Sequence, residues 1–170
     1  MMKWYSWLLV LFAGLGCGPK QNGMVYFNDF ENTKGWIPLY LNKEPHHSGS
    51  FSNKLDTNNR FGATFQLKLK DISERKIKKL KVCFWVLLNA ENATSKFVVE
   101  VKDKDKNKVF YLAKNIDETV KTTKKWTKVD YEFTFPDENC KLGENTISMY
   151  VWDLGKSDIF VDDERVEFVI

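Results

Sequence analysis

Long stretches of the sequence alternate apolar and polar residues with a period of two, which is typical of β-strands that bury one face. The clearest run places apolar side chains, predicted to face inward, at every second position: Phe61, Ala63, Phe65, Leu67 and Leu69. The residues between them are predicted to face outward, among them Arg60, Thr64 and Gln66. This pattern excludes a helical domain and predicts a half-buried sheet.

Comparable alternation occupies residues 80–88, 97–101, 129–135 and 147–151, and a last strand begins at Ile159. Turn-forming Asn, Asp, Gly and Pro separate these runs. Aromatic residues make up 15% of the chain, which also favours strands. Only residues 71–79 and 115–119 are expected to form helical turns. About eight to ten short strands at this spacing predict an all-β fold, an antiparallel two-sheet β-sandwich of the jelly-roll type.

The charge balance argues against a nucleic-acid partner. The chain has 26 Lys and Arg against 23 Asp and Glu, a formal net charge of +3. Its lysine-rich stretches are interleaved with acidic or apolar residues, so they are interpreted as solvated turns and strand edges.

The first sixteen residues have the features of a signal peptide. Lys3 precedes an apolar stretch from Trp4 to Gly16, about a dozen residues, whereas a membrane-spanning helix needs about 20. Residues 1–16 are therefore expected to be removed and to take no part in the fold.

The segment Ala13-Gly14-Leu15-Gly16-Cys17 resembles a lipobox, the motif after which a signal peptidase cleaves bacterial lipoproteins. The aliphatic residue usual three places before the cysteine is here Gly14, and Leu15 follows one place later. We expect cleavage before Cys17, lipid on that cysteine, a flexible tether over 17–23, and anchoring to a membrane of the bacterial cell envelope, at the outer membrane or cell surface. The alternative is an ordinary secretory signal with an unrelated cysteine.

No pattern of catalytic residues is evident, and we expect no enzyme activity. His46 and His47 are adjacent, so in an extended segment they point to opposite faces, which disfavours a shared zinc ion. They are interpreted as polar loop residues. Cys83 and Cys140 are the remaining cysteines, and a disulfide between them is left open.

Several local motifs occur together in a familiar order: Asn28-Asp29-Phe30-Glu31 with Gly35-Trp36, the segment His47–Ser52, the strand Val82–Val86, the segment Trp126–Val129, and Ile159–Asp163 at the end. This order resembles the galactose-binding-like jelly rolls of carbohydrate-binding modules, especially the xylan- and glucan-binding modules of bacterial glycoside hydrolases. The resemblance covers residues 24–170 and implies a single non-catalytic domain that binds an oligo- or polysaccharide.

The resemblance also implies a structural calcium ion. In such modules the ion joins the first strand, the Ser-Gly turn and the first Asp of the terminal Asp-Asp pair. The matching ligands are Asp29, the carbonyl of Gly49, and Asp162, with Glu31 nearby, and oxygen ligands of this kind suit calcium. The alternative is that these acidic residues only close turns.

In the resembled modules the glycan lies on the concave face of one sheet, here formed by residues 60–69, 96–102, 107–112 and 146–152. Val98 and Ser148 are among the residues predicted to face outward on it, and the expected ligand-binding residues are Arg60, Gln66, Glu100, Tyr150 and Trp152. Aromatic faces stack on sugar rings, and the polar groups suit hydroxyls. Trp36, Trp85 and Trp126 are interpreted as structural. The alternative function is binding of envelope protein partners through a flat apolar patch.

Overall fold

The computed structural model describes residues 23–32, 36–37, 40–135, 143–155 and 157–170. Strands account for 54% of these described residues and helices for 6%. The strands are β1 (Gly23–Asn28), β2 (Trp36–Ile37), β3 (Leu41–Asn42), β4 (Ser52–Leu55), β5 (Thr64–Lys68), β6 (Lys79–Leu88), β7 (Ser95–Lys102), β8 (Lys108–Asn115), β9 (Thr127–Thr134), β10 (Thr146–Asp153) and β11 (Ile159–Val169). Two single-turn helices are α1 (Leu69–Ile72) and α2 (Ile116–Thr119).

The strands form two antiparallel sheets. The six-stranded sheet has the order β3-β4-β11-β6-β9, with β1 also paired to β11, and the five-stranded sheet has the order β2-β5-β10-β7-β8. The predicted two-sheet sandwich is confirmed. The strands expected to share one sheet are also confirmed, since β5, β7, β8 and β10 are neighbours in the five-stranded sheet.

Aromatic side chains from the two sheets fill the core between them. Phe84 on β6 stacks on Phe97 on β7 with ring centroids 5.4 Å apart, and Tyr26 on β1 meets Phe65 on β5 edge-on at 4.9 Å. Such pairs contribute about 0.5–1.5 kcal/mol beyond the apolar area that they bury. Trp36 is buried in this core, in agreement with its predicted structural role.

The structure corrects one boundary. Helix α1 begins at Leu69, which the alternation placed at the end of a strand, and it ends before most of the predicted helical segment 71–79. Leu69 is nevertheless buried in the core, as the strand pattern predicted, although it belongs to a helical turn. Helix α2 lies within the predicted segment 115–119.

Residues 1–22, which include the predicted signal peptide, Cys17 and most of the tether, lie outside the residues that the structure describes. Cys140 lies outside them as well. Among the helices of the described ranges, none is long and apolar enough to cross a membrane.

Candidate functional site

A row of polar side chains crosses the outer face of the five-stranded sheet. Strand pairing sets Ser148 on β10 opposite Gln66 on β5 and, on its other side, opposite Glu100 on β7. Residues directly opposite in antiparallel strands share a face, so the three side chains lie side by side. Gln66 and Glu100 were predicted to bind ligand, and Ser148 was predicted to face outward. We call Gln66, Ser148 and Glu100 the polar row.

Hydrogen bonds fix the polar row. Gln66 Nε2 donates to Ser148 Oγ at 3.0 Å, and Lys102 Nζ donates to Glu100 Oε1 at 2.8 Å. Gln66 is exposed, whereas Glu100 is only 7% exposed. Val98, the residue predicted to face outward two places earlier on β7, is completely buried. The outward-facing side chains of β7 are therefore more buried than the sequence indicated.

Three aromatic rings form a patch beside the polar row. Tyr150 and Trp152 follow Ser148 at alternate positions on β10 and are half-buried. Phe61 stacks on Trp152 with centroids 5.7 Å apart and planes 23° apart, and it meets Tyr150 edge-on at 5.7 Å. We call Phe61, Tyr150 and Trp152 the aromatic platform.

The position of Phe61 contradicts the sequence prediction, which placed it in the core. The side chain is 49% exposed, because residues 60–63 make only an isolated bridge, between Phe61 and Trp152, before β5 begins. Gly62 packs closely here, and its N–H donates to Val151 O. Regular alternation therefore starts only after Gly62, and the glycine within the run was the signal of the interruption.

Arg60 lies at the Trp152 end of β10. Its side chain is exposed, and its Nε donates to the carbonyl of Asp153 at 3.2 Å. The predicted residue is therefore at the margin of the aromatic platform, next to Phe61 in the chain.

The hydroxyl of Tyr150 stays protonated over the whole physiological range. Burial raises the pKa of Tyr150 to about 12, and the nearby carboxylate of Glu100 acts in the same direction. A neutral phenol both donates and accepts hydrogen bonds, as sugar hydroxyls require.

Two of the predicted calcium ligands, Glu31 and Asp162, contact the turn that contains Gly49. Asp162 Oδ2 accepts the N–H groups of His47 and Ser48 at 2.8 and 3.2 Å. Glu31 Oε1 accepts the N–H groups of the two residues after Gly49, and Asp29 Oδ1 accepts the N–H of Glu31.

These carboxylates thus connect the end of β1, the turn and β11, the three elements expected to meet at the ion. The described residues contain no group of three or more His, Cys, Asp and Glu side chains that could hold a metal ion. The donor set is chemically suitable for calcium in its carboxylate and carbonyl oxygens, but a bound ion would need backbone carbonyls such as that of Gly49 to complete its shell.

The side chain of His47 packs between Asp163 and two tryptophans. Its Nδ1 lies 2.7 Å from Asp163 Oδ2, and its ring stacks on Trp85 at 3.8 Å and meets Trp126 edge-on at 5.8 Å. Both tryptophans are half-buried, in agreement with their predicted structural role. Cys83 is half-buried on the same strand as Trp85, and burial raises the pKa of its thiol.

Solved structures with a similar fold include three modules that are named as xylan-binding domains or as a carbohydrate-binding module. The CBM22-1 xylan-binding domain of Paenibacillus barcinonensis Xyn10C is 20% identical, with 88% of this chain and 97% of that chain covered and a TM-score of 0.59. The C-terminal family 22 carbohydrate-binding module of Clostridium thermocellum Xyn10B is 15% identical, with 89% and 98% covered and a TM-score of 0.58. A xylan-binding domain from CBM 22, formerly called x6b, is 14% identical, with 85% and 94% covered and a TM-score of 0.59.

No protein-family profile and no curated protein matches the sequence. At identities of 14–20%, the similarity to the solved structures shows a shared β-sandwich fold over nearly the whole domain. Function must be argued from the site, because one fold supports many functions.

Proposed function

We propose that the domain binds an oligo- or polysaccharide, without catalysing a reaction on it, on the outer face of the five-stranded sheet. The observation that carries the proposal is the aromatic platform directly beside the polar row. Strand β10 joins them, since it presents Ser148, Tyr150 and Trp152 on one face while the alternate residues fill the core.

The combination suits sugars because a pyranose ring has apolar C–H faces and a rim of hydroxyls. The faces stack on aromatic rings, and a few positioned polar groups orient the hydroxyls. The exposed ring of Phe61 and the half-buried rings of Tyr150 and Trp152 offer the stacking surface. Gln66 and the Tyr150 hydroxyl offer a donor and an acceptor.

The similar folds support a glycan as the ligand class, since three of them are named as xylan-binding domains or carbohydrate-binding modules. Xylan is therefore the first polymer to test.

The test is binding to a broad glycan array that includes xylo-oligosaccharides. Phe61→Ala and Trp152→Ala should each weaken binding about five- to 150-fold, by analogy with the loss of a base-stacking ring, which costs about 1–3 kcal/mol. The matched control is Phe27→Ala, which removes a similarly exposed phenylalanine, 57% against 49%, from the other sheet.

If the wild-type protein binds no glycan, the proposal is wrong, and binding of an envelope protein partner replaces it. If Phe27→Ala weakens binding as much as Phe61→Ala, the face is wrong. Melting curves of each variant show whether the domain still folds, so that a loss of ligand contacts can be told from unfolding.

We also propose that Cys17 is lipidated and holds the domain at a membrane of the bacterial cell envelope. Support comes from the signal-peptide pattern and the lipobox-like segment. Cys17→Ser should release the protein into the soluble fraction, whereas an uncleaved chain with an unmodified Cys17 in intact-protein mass spectrometry would contradict the proposal.

Finally, we propose that one calcium ion stabilises the domain at the Gly49 turn. Support comes from the carboxylates of Glu31 and Asp162, which both contact the backbone of that turn, and from the burial of Asp162, which raises the pKa of its carboxyl group. Asp29, the third predicted carboxylate ligand, contacts the N–H of Glu31. A cation beside the buried Asp162 anion would offset its desolvation.

A further inference from the structure

A cavity of about 440 Å³ opens on the outer face of the five-stranded sheet, at the Thr146 end of β10. Gln66 and Ser148 of the polar row form part of its wall. The ammonium-bearing side chains of four lysines make up much of the rest: Lys68, Lys102, Lys104 and Lys106. The wall thus holds four lysines against two carboxylates, those of Asp103 and Glu144.

The two carboxylates in the wall are engaged within the protein. Asp103 accepts the N–H groups of Asp105 and Asn107 and the side-chain amide of Asn107, all at 2.9–3.0 Å, and these bonds lower its pKa. Glu144 accepts hydrogen bonds from Lys68 and Lys70, which lower its pKa to about 2.

When the ion-pair partners beyond the wall are included, five lysines face four carboxylates, an excess of one positive charge. Lys102 pairs with Glu100, and Lys104 pairs with its neighbour Asp105. Lys106 forms no ion pair within the described ranges, and Lys70 and Lys68 share the single carboxylate of Glu144.

The turn between β7 and β8 holds this charge in place. Lys106 has a positive φ of 66°, and its N–H donates to Asp103 O at 3.0 Å. Because Asp103 closes the turn from both ends, Lys104 and Lys106 project from an ordered backbone rather than from a loose loop.

One ligand could contact the cavity and the aromatic platform together. Thr146 and Ser148 border the cavity, and Tyr150 and Trp152 continue along the same face of the same strand. At about 3.3 Å per residue, the distance from Thr146 to Trp152 is roughly 20 Å, enough for several sugar rings.

We infer that the ligand of this face is an acidic polysaccharide, whose sugars stack on the aromatic platform while its carboxylate or sulfate groups enter the lysine-lined cavity. The inference rests on the proposed glycan binding and specifies its substrate class. Ammonium groups form strong, charge-assisted hydrogen bonds with such anions, and charge complementarity supplies specificity against neutral polymers.

The test compares soluble polymers in matched pairs: glucuronoxylan and polygalacturonate, each with its carboxyl-reduced form, and dextran sulfate with dextran. At least one acidic polymer should bind about tenfold more tightly than its uncharged partner, a difference of 1.4 kcal/mol. Its advantage should shrink when salt rises from about 0.05 to about 0.5 M, because exposed charges are then screened. The carboxylate and sulfate pairs show which anionic group is preferred.

Lys104→Gln combined with Lys106→Gln should reduce the preference for the acidic polymer and leave binding of its uncharged partner unchanged. The matched control is Lys121→Gln with Lys125→Gln, which removes the same charge from exposed positions beyond the opposite end of β8. Trp152→Ala should weaken binding of the acidic polymer too, because the sugars stack on that ring.

Equal binding within every pair, or an equal loss in the control variant, would overturn the inference while leaving the proposed glycan binding intact. Acidic binding that is insensitive to Trp152→Ala would overturn the inference and also count against the proposed binding face. If neither the acidic nor the neutral polymers bind, and the array is also negative, the proposed function itself fails.

Discussion

Glu164 is a carboxyl group inside the sandwich, directly opposite Asn28 in the pairing of β11 with β1. Its side chain is 2% exposed. Glu164 Oε1 and Asn28 Nδ2 are buried without a hydrogen-bond partner in the part of the chain that the structure describes. Burial raises the pKa of Glu164 to about 8, so the group is protonated in the folded protein at neutral pH.

This burial predicts that stability falls as pH rises. The folded pKa of Glu164 lies above its ordinary value of 4.5, so the stabilisation is complete below that value and is lost as pH approaches about 8. The slope reaches about 1.4 kcal/mol per pH unit in the free energy of unfolding. Glu164→Gln mimics the neutral acid and should flatten the decline. Urea unfolding at several pH values between about 5 and 9 measures both proteins, and identical slopes would contradict the assignment.

Gly62, next to Phe61 in the chain, lies in a tightly packed site. A Cβ at Gly62 would lie 2.9 Å from Asn53 Oδ1, which accepts the N–H of Ala63 and therefore has little freedom to move. Gly62→Ala should lower the free energy of unfolding by about 1–3 kcal/mol, as overpacking of a tight site does. An unchanged unfolding free energy would show that this contact is not restrictive.

At the scale of single elements, strand alternation predicted which faces of β9 and β10 are buried. Ile147, Met149 and Val151 fill the core as expected. The side of the sheet that carries Gln66, Tyr150 and Trp152 could be predicted because a period of two fixes the face of every residue once one is known. The exposure of Phe61 could not be predicted in this way, because the period of two is interrupted at Gly62.

The contacts between neighbouring strands could not be predicted from alternation either. The near-complete burial of Glu100 and its bond to Lys102 depend on how β7 pairs with β8 and β10. Register is set by packing and turns over the whole sheet rather than by the local sequence. The enclosure of the polar row therefore appeared only in the structure.

The connection between β1, the Gly49 turn and β11 gives a prediction for calcium. A ligand that binds only the folded state stabilises it by RT ln(1 + [L]/Kd), about 2.7 kcal/mol at 100 times Kd. The melting temperature should rise with calcium over that in chelator, and Glu31→Gln should reduce the rise. The control is Glu132→Gln on β9, outside this cluster. Identical melting in chelator and in excess calcium would contradict the calcium site.

For the whole molecule, the jelly-roll arrangement brings segments distant in sequence onto one surface. The aromatic platform combines a residue before β5 with two on β10, and the lysine-lined cavity adds the turn between β7 and β8. The overall charge of +3 conceals this distribution. Interleaved charges in the sequence were interpreted as solvated turns, and only the folded sheet gathers several of the lysines beside the polar row.

The central claim is that a glycan binds the outer face of the five-stranded sheet. The most direct measurement is a titration of the labelled domain with the best-binding glycan from the array, followed by amide and indole NMR shifts. Shifts should concentrate at the indole of Trp152, at the amides of residues 60–66 and 148–152, and near Glu100. Shifts centred instead on Trp85 and Trp126, or on the exposed Phe27 of β1, would contradict the account.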